Sequence, residues 1–452
     1  MVLSSLFRSC RVERRGPEQM THSNSAMQVS IPNKRFPPNW ALLVSSILLQ
    51  MVLGLFFGHA YDIRIFMASG YLVGTGQNPY VVQDLAAFFQ NGTFQDITSF
   101  GYPPPWAIIL GLMYLVAYRN IPNFLLYNLA VKLPVITVNI CLAYLVAHVL
   151  ERSGVQAKTS RRAWIFMLFN PFLLCTSSAW GQFDSIVALL SLLSLFLLSK
   201  GKTTGPAILL ALAVSFKPIA LPVIPVVMIY LVGRSVKRAV QYSIVFIVSM
   251  GLFCVGPFAL FGWSPAVILQ HWNFHFTVGG GLSFMTFLET LKHSYQLTGV
   301  WWIMGWVWVP ALGIATYALK SGINGFNDLL KKSLALILVF FLCRAWLSEP
   351  NIILILPLVL ILTCLDEIDP FSLAAVWILP LVFGLLNTSI AQLFFPSMPA
   401  TMDFLLKLAA EYNPSRFAIR TTVVIAWLAS GWWIVYNCFH KRDVQREGIF
   451  SV

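Results

Sequence analysis

Runs of roughly twenty apolar residues recur along this chain, and nothing else in it restricts the fold as much. "WALLVSSILLQMVLGLFFG" (Trp40–Gly58) and "VQYSIVFIVSMGLFCVGPFALF" (Val240–Phe261) are two of them. Each is long enough to cross the hydrocarbon core as a helix, which pairs its own backbone groups where no water can. Length alone would allow two or three soluble domains, but the mean hydropathy of +0.75 and a charged fraction of 10% leave none of useful size. The expected fold is an all-α polytopic membrane protein, a bundle of about eleven to thirteen membrane helices. No internal repeat is visible.

The net charge of +13 does not point to nucleic acid. Basic residues sit between the apolar runs, as Arg8, Arg11, Arg14, Arg15, Lys34 and Arg35 before the first and Lys441, Arg442 and Arg446 after the last. That is the positive-inside pattern, and it places both termini in the cytoplasm. Residues 1–36 lack the apolar core of a signal peptide and read as a disordered basic tail. Residues 37–440 form the membrane-embedded domain, and 441–452 a second cytoplasmic tail. The seven cysteines show no CxxC pair and read as small core residues. No glycine-rich loop precedes a GK[ST], so nothing suggests an ATP-driven pump.

The first polar stretch, 59–101, has one strong base, Arg64, against Asp62, Asp84 and Asp96, and belongs outside the cytoplasm. Within it, "IFMASGYLV" and "VVQDLAAFFQNG" are short and amphipathic, as helices lying along the interface would be. "GQNPY" between them is a turn, and "YPPPW" opens the second span at Tyr102 with prolines where the backbone donors are free anyway. A second outer loop, 262–299, holds "HWNFHF" and "GGGLSF", and a third covers 391–416. Charge bookkeeping requires two breaks. If 102–119 crosses, then Ile121–Leu150, interrupted by Lys132 and Pro134, must return as a broken pair or one strongly kinked helix. The run through Lys217, Pro218, Pro222 and Pro225 must also break. Both devices put "AWGQFD" (Ala179–Asp184) on the same side as Asp62.

Charges in or beside apolar runs cost about 2.5–3.5 kcal/mol each on insertion scales and are functional suspects. They are Asp62, Arg64, Lys132, Asp184, Lys217, Glu289, Arg344 and Glu349. Each has an ordinary alternative. Lys132 would snorkel or pair internally, Asp62 and Arg64 would pair with each other or with headgroups, and Trp180 would be an interfacial belt residue. Asn91-Gly-Thr93 and Asn387-Thr-Ser389 are formal glycosylation triplets.

The order of motifs matters more than any one of them. Asp62 is followed by "GQNPY" and "YPPPW", then "WGQFDS … LLALAVSFKPIALPVIP", then Arg344 before "WLSEPN". Over Trp40 to Pro357 this resembles the GT-C superfamily of polyprenyl-phosphate-sugar-dependent glycosyltransferases. The nearest branch is similar to the mycobacterial mannosyltransferases that extend phosphatidylinositol mannosides, with a more distant likeness to the GPI mannosyltransferase that adds the first mannose. The resemblance implies a GT-C helical bundle, a lipid-linked donor (most naturally mannose), inversion at the anomeric carbon, a glycolipid or glycan acceptor and no cofactor. The family's general base, an aspartate in the first outer loop, maps onto Asp62. A cation must stabilise the departing polyprenyl phosphate, and Arg344 ranks first because a guanidinium grips phosphate in two-point fashion. Lys217 and Arg64 follow. Trp180, Gln182, Asp184, Tyr102, Glu349 and Asn351 are candidates for the sugar or acceptor.

The chain departs from the GPI enzyme in having "DIR" where that family has Asp-x-Asp, so no metal is expected. His271 and His275 in "HWNFH" have zinc-compatible spacing but no accompanying HExxH pattern, and are kept as substrate-side candidates. Such an enzyme is a multi-pass protein of the cell membrane in a prokaryote or the endoplasmic reticulum in a eukaryote. The other function class open to these residues is a transporter or flippase, in which the same charges would line a pathway.

Overall fold

In this computed structural model, residues 39–80, 100–266, 279–286, 303–387, 390–401 and 413–440 are described, with a few single residues between them. His271, His275, Glu289, the "VVQDLAAFFQNG" segment, the 1–36 tail and the 441–452 tail lie outside the described residues. What is described is almost wholly helical, as the apolar runs require.

Helix α1 (Trp40–Phe56) starts where the Asn39 carboxamide accepts from the backbone of Ala41 and Leu42. Helix α2 (Ala60–Gly74) follows after three residues, with His59 at its N-cap. Helix α3 (Pro104–Met113) begins on two prolines and runs through a π-helical turn to Tyr118. Helices α2 and α3 run side by side in the same direction. Phe66 meets Trp106 at 5.7 Å, and Tyr71 meets Tyr114 at 5.5 Å. Glycine makes that approach possible: a Cβ on Gly70 would stand 2.7 Å from the Leu110 carbonyl oxygen, and one on Gly111 2.4 Å from Val73.

Helix α4 (Phe124–Arg152) decides between the two alternatives for this run in favour of a single helix. It is one continuous helix with Pro134 inside it, and the reason lies upstream. Tyr118 stacks 5.0 Å from Tyr127, and the Tyr127 hydroxyl donates to the Met67 carbonyl. Asn128, one residue on, donates to the carbonyls of Gly54 and Phe57 at the end of α1. So α4 starts at the Asp62 end of the molecule, and α3 returns to the end it left. By these contacts the second apolar run ends beside the start of α4, and the third is a single long helix. The two differences cancel, and Arg152, Lys158, Arg161 and Arg162 still fall opposite Asp62.

From there the chain runs in hairpins. Helix α5 (Ala157–Phe169) continues through Asn170 and a π-helical stretch, Leu174–Ala179, to the Asp62 end. A bend of 119° at Trp180–Phe183 turns it into α6 (Asp184–Ser199). The next hairpin has the break expected from its prolines: α7 (Thr204–Phe216), a 3-10 turn at Pro218–Ala220, then α8 (Val223–Val232). Helix α9 (Val236–Met250) extends through a π turn to Phe261, and only 6% of its apolar window is buried, so its long sides face lipid. Helices α10 (Trp308–Tyr317) and α11 (Gly325–Cys343) follow. Strand β1 (Gly280–Gly281) pairs in parallel with β2 (Trp346–Leu347), fixing the "GGGLSF" loop against "WLSEPN". Helices α12 (Leu356–Cys364), α13 (Pro370–Asn387) and α14 (Asn413–Phe439) complete the chain. The core runs along α11 and α12, whose apolar residues are nearly all buried.

Among the described residues, four helices are long and apolar enough to cross a membrane singly, and five more apolar helices have 10–17 residues. In the structure, runs broken by proline or by a short turn supply half-length helices whose ends meet at one level.

Candidate active site

That level is the Asp62 end. Asp62 stands in the first turn of α2, and its carboxylate is held by three groups. Trp180 Nε1 donates to Oδ2 at 2.5 Å, His59 Nδ1 lies 2.8 Å from the same oxygen, and Gln182 hydrogen-bonds it as well. His59 stacks on Trp180 with ring centroids 4.5 Å apart, and its backbone N–H donates to the Trp180 carbonyl at 3.1 Å. Burial alone pushes the Asp62 carboxyl upward, but the charge and hydrogen bond of His59, with those of Trp180 and Gln182, hold it below the usual value. It is therefore an ionised, oriented carboxylate. Arg64 is no partner for it: the guanidinium donates back to the Ala60 carbonyl at 2.5 Å and lies 5.7 Å from the Phe395 ring.

The turn that carries Trp180 and Gln182 depends on Gly181. Its φ of +103° is one that side chains disfavour, and a Cβ there would stand 2.8 Å from Ile63. Beneath the turn lies Lys132, fully buried. Its ammonium donates to the carbonyls of Gly54, Phe57 and Ala179. It does not snorkel and forms no ion pair among the described residues: it binds the open carbonyl end of α1 to the end of the π-helical stretch. Lys132 thus sets the spacing between the strand of chain bearing His59 and the one bearing Trp180.

Asp184 and Lys217 form a second unit. Lys217 Nζ reaches the two carboxylate oxygens at 3.0 and 2.9 Å, and Asn351 adds a contact at 3.4 Å. Gln182 Oε1 is 3.5 Å from Lys217 Nζ, so the two units share that carboxamide. Gln182 also hydrogen-bonds Tyr102, whose hydroxyl is pushed well up by burial and by the nearby carboxylates. Lys217 is flanked by the faces of Tyr102 and Phe183, at 5.5 and 5.3 Å. A floor of Phe66, Trp106 and Phe183 closes the site from below.

The helix breaks explain why these side chains converge. Lys217 ends α7, Asp184 begins α6, and Glu349 and Asn351 open the turn that leads into α12. Each charged group sits where a helix stops, so the free backbone groups help to solvate it. Glu349 is buried and accepts from Asn387 at 2.8 Å, and Asn387 accepts in turn from Arg420 at 2.9 Å. With both ends of its amide engaged, Asn387 links Glu349 to Arg420. Arg344 caps the end of α11, lies 4.9 Å over Phe340, and forms no ion pair among the described residues.

Of the candidates from sequence, the structure brings Asp62, Trp180, Gln182, Tyr102, Asp184, Lys217 and Asn351 into one cluster. Glu349 joins a neighbouring chain of polar side chains, and Arg64 points away. His59, Asn387 and Arg420 escaped sequence reasoning. His59 carried a usable signal, a residue at an N-cap three positions before a first-turn carboxylate. The other two carried none, because their partners lie far off in the chain.

Residues 127–276 match the ALG6, ALG8 glycosyltransferase family. The match includes Trp180, Gln182, Asp184 and Lys217 and stops short of Asp62, Arg344 and Glu349. No curated protein matches the chain. An all-helical membrane architecture with a glycosyltransferase-family segment at its centre supports an integral membrane glycosyltransferase of the GT-C superfamily.

Proposed function

We propose that the protein transfers a hexose from a polyprenyl phosphate to a glycolipid or glycan acceptor on the non-cytoplasmic face, with inversion. The observation that carries this reading is the Asp62 carboxylate, held ionised by His59, Trp180 and Gln182 at the end away from the basic turns. In the reaction an acceptor hydroxyl attacks the anomeric carbon while its proton passes to Asp62. The carbon–oxygen bond to phosphate breaks, and the polyprenyl phosphate leaves with the electron pair. Arg344 is our candidate for the leaving phosphate, because Lys217 is already committed to Asp184. Asn351 and Tyr102 are our candidates for sugar hydroxyls, since Asp184, like Lys217, is committed to the ion pair.

Mannose is the sugar that the motif resemblance implies. The family matched over residues 127–276 is another branch, so mannose and glucose are both tested. Purified protein in liposomes would be given labelled polyprenyl-phosphate-mannose or polyprenyl-phosphate-glucose with extracted membrane glycolipids. Transfer from one donor is expected, falling about 10²- to 10⁴-fold in Asp62→Asn. Unchanged transfer in that variant would remove Asp62 as the base. Accumulation of intact donor across the bilayer with no product from either sugar would favour a flippase.

A further inference from the structure

The end of the bundle opposite Asp62 holds a cavity of ≈ 280 Å³. It lies between the C-terminal ends of α4, α6 and α8 and the first turn of α11. Each of the three C-terminal ends brings one cation to its wall: Arg152, Lys200 and Arg234. None of the three is in an ion pair among the described residues. Lys200 Nζ lies 5.2 Å over Phe196 and the Arg234 guanidinium 4.2 Å over Tyr230, and both rings line the cavity. The aromatic faces seat two of the charges at the rim. Ser153 and Ser199 also line it, their hydroxyls donating to the Val149 and Phe196 carbonyls.

The carboxylates near α11 are spoken for. Asp328 lies 4.0 Å from Lys332 and accepts from the Asn324 backbone, and Glu367 binds Lys331 at 2.8 Å and Asn327 at 3.1 Å. A basic membrane face explains single cations such as Arg161 or Lys237. It does not explain three that converge on one concavity, where they repel each other and the helix C-termini offset part of that repulsion. A doubly charged group with several acceptor oxygens would satisfy all three.

We propose that this cavity binds a phosphate monoester at the membrane surface, carried by a lipid headgroup. The inference stands apart from the transfer reaction, which lies at the other end. The full-length protein in detergent micelles would be titrated with dioctanoyl phosphatidic acid, glycerol 3-phosphate and dioctanoyl phosphatidylcholine, with binding read by native mass spectrometry. Phosphatidic acid is expected to bind and phosphatidylcholine not. Arg234→Gln should weaken binding at least tenfold, Arg234→Lys less, and Lys237→Gln, which removes a cation outside the cavity, not at all. Equal binding of glycerol 3-phosphate would keep the phosphate site and move its source from lipid to solute. Binding no tighter than that of phosphatidylcholine, or equal losses in Arg234→Gln and Lys237→Gln, would overturn the proposal.

Discussion

Removing Lys217 while Asp184 stays is the perturbation that most sharply tests how the site is held together. Asp184 is wholly buried, with a side-chain exposure of 0% against 11% for Lys217, and its two oxygens receive the ammonium at 3.0 and 2.9 Å. Lys217→Met keeps the volume and leaves a buried carboxylate with its backbone hydrogen bond and the 3.4 Å contact from Asn351. Breaking a buried pair from one side costs about 3–5 kcal/mol. That is a loss of roughly two to three and a half decades in the folding equilibrium. Asp184→Asn should cost less, about 2–3 kcal/mol, because the stranded ammonium keeps some exposure and two aromatic faces. The double variant removes both charges and should cost less than Lys217→Met alone. Reversible SDS titration in mixed micelles, followed by tryptophan fluorescence, would give all three values. If Asp184→Asn cost as much as Lys217→Met, or the double variant cost the sum of the singles, the pair would not be the energetic unit described. Asp62→Asn, by contrast, should remove transfer with little loss of stability, which separates chemistry from scaffold.

Two further outcomes follow from the geometry. Lys132→Met leaves the Ala179 carbonyl without its lysine donor and the Gly54 and Phe57 carbonyls with Asn128 alone, and should lower stability by about 1–3 kcal/mol in the same titration; a change under about 0.5 kcal/mol would mean that the Ala179 carbonyl finds another donor. Cysteines introduced at Gln77, Ile121 and Gln156, all exposed, would report sidedness through a membrane-impermeant maleimide. Gln77→Cys and Ile121→Cys should react from one side and Gln156→Cys from the other, and joint labelling of Ile121→Cys with Gln156→Cys would restore the crossing of α3.

Helix content, the break at Lys217–Pro222 and the meeting of Asp62 with "AWGQFD" were legible from hydropathy, proline and the distribution of basic residues. The path of 102–150 was not. Charge counting constrains only the parity of crossings, and one crossing fewer with one break fewer gives the same parity. What decides between the two is Tyr118 on Tyr127 and Asn128 on Phe57, contacts between segments that no local pattern joins. The site was legible in part for the same reason. Asp62, Asp184 and Lys217 announced themselves as charges at apolar edges, whereas the pairing of Lys217 with Asp184 rather than with a ligand depends on where two helices end. Lys132 is the instructive case: its place inside an apolar run was visible and read as snorkelling or internal pairing, but its partners are backbone carbonyls, which every sequence has and none displays.

The return of α3 to its starting side has a consequence for how the protein is made. In the topology proposed above, residues 57–80 and 100–123 reach the Asp62 side of the bilayer before α4 is threaded in. On the way the apolar stretch of α3 has to be released by the insertion machinery, although its composition invites it to stop there. Gly70 and Gly111 give it somewhere else to go, because their missing side chains let it dock on α2. A bulky residue at either position would therefore be felt first during biosynthesis, as a chain stalled or inverted in the membrane, and the finished enzyme would be scarce before it was ever slow.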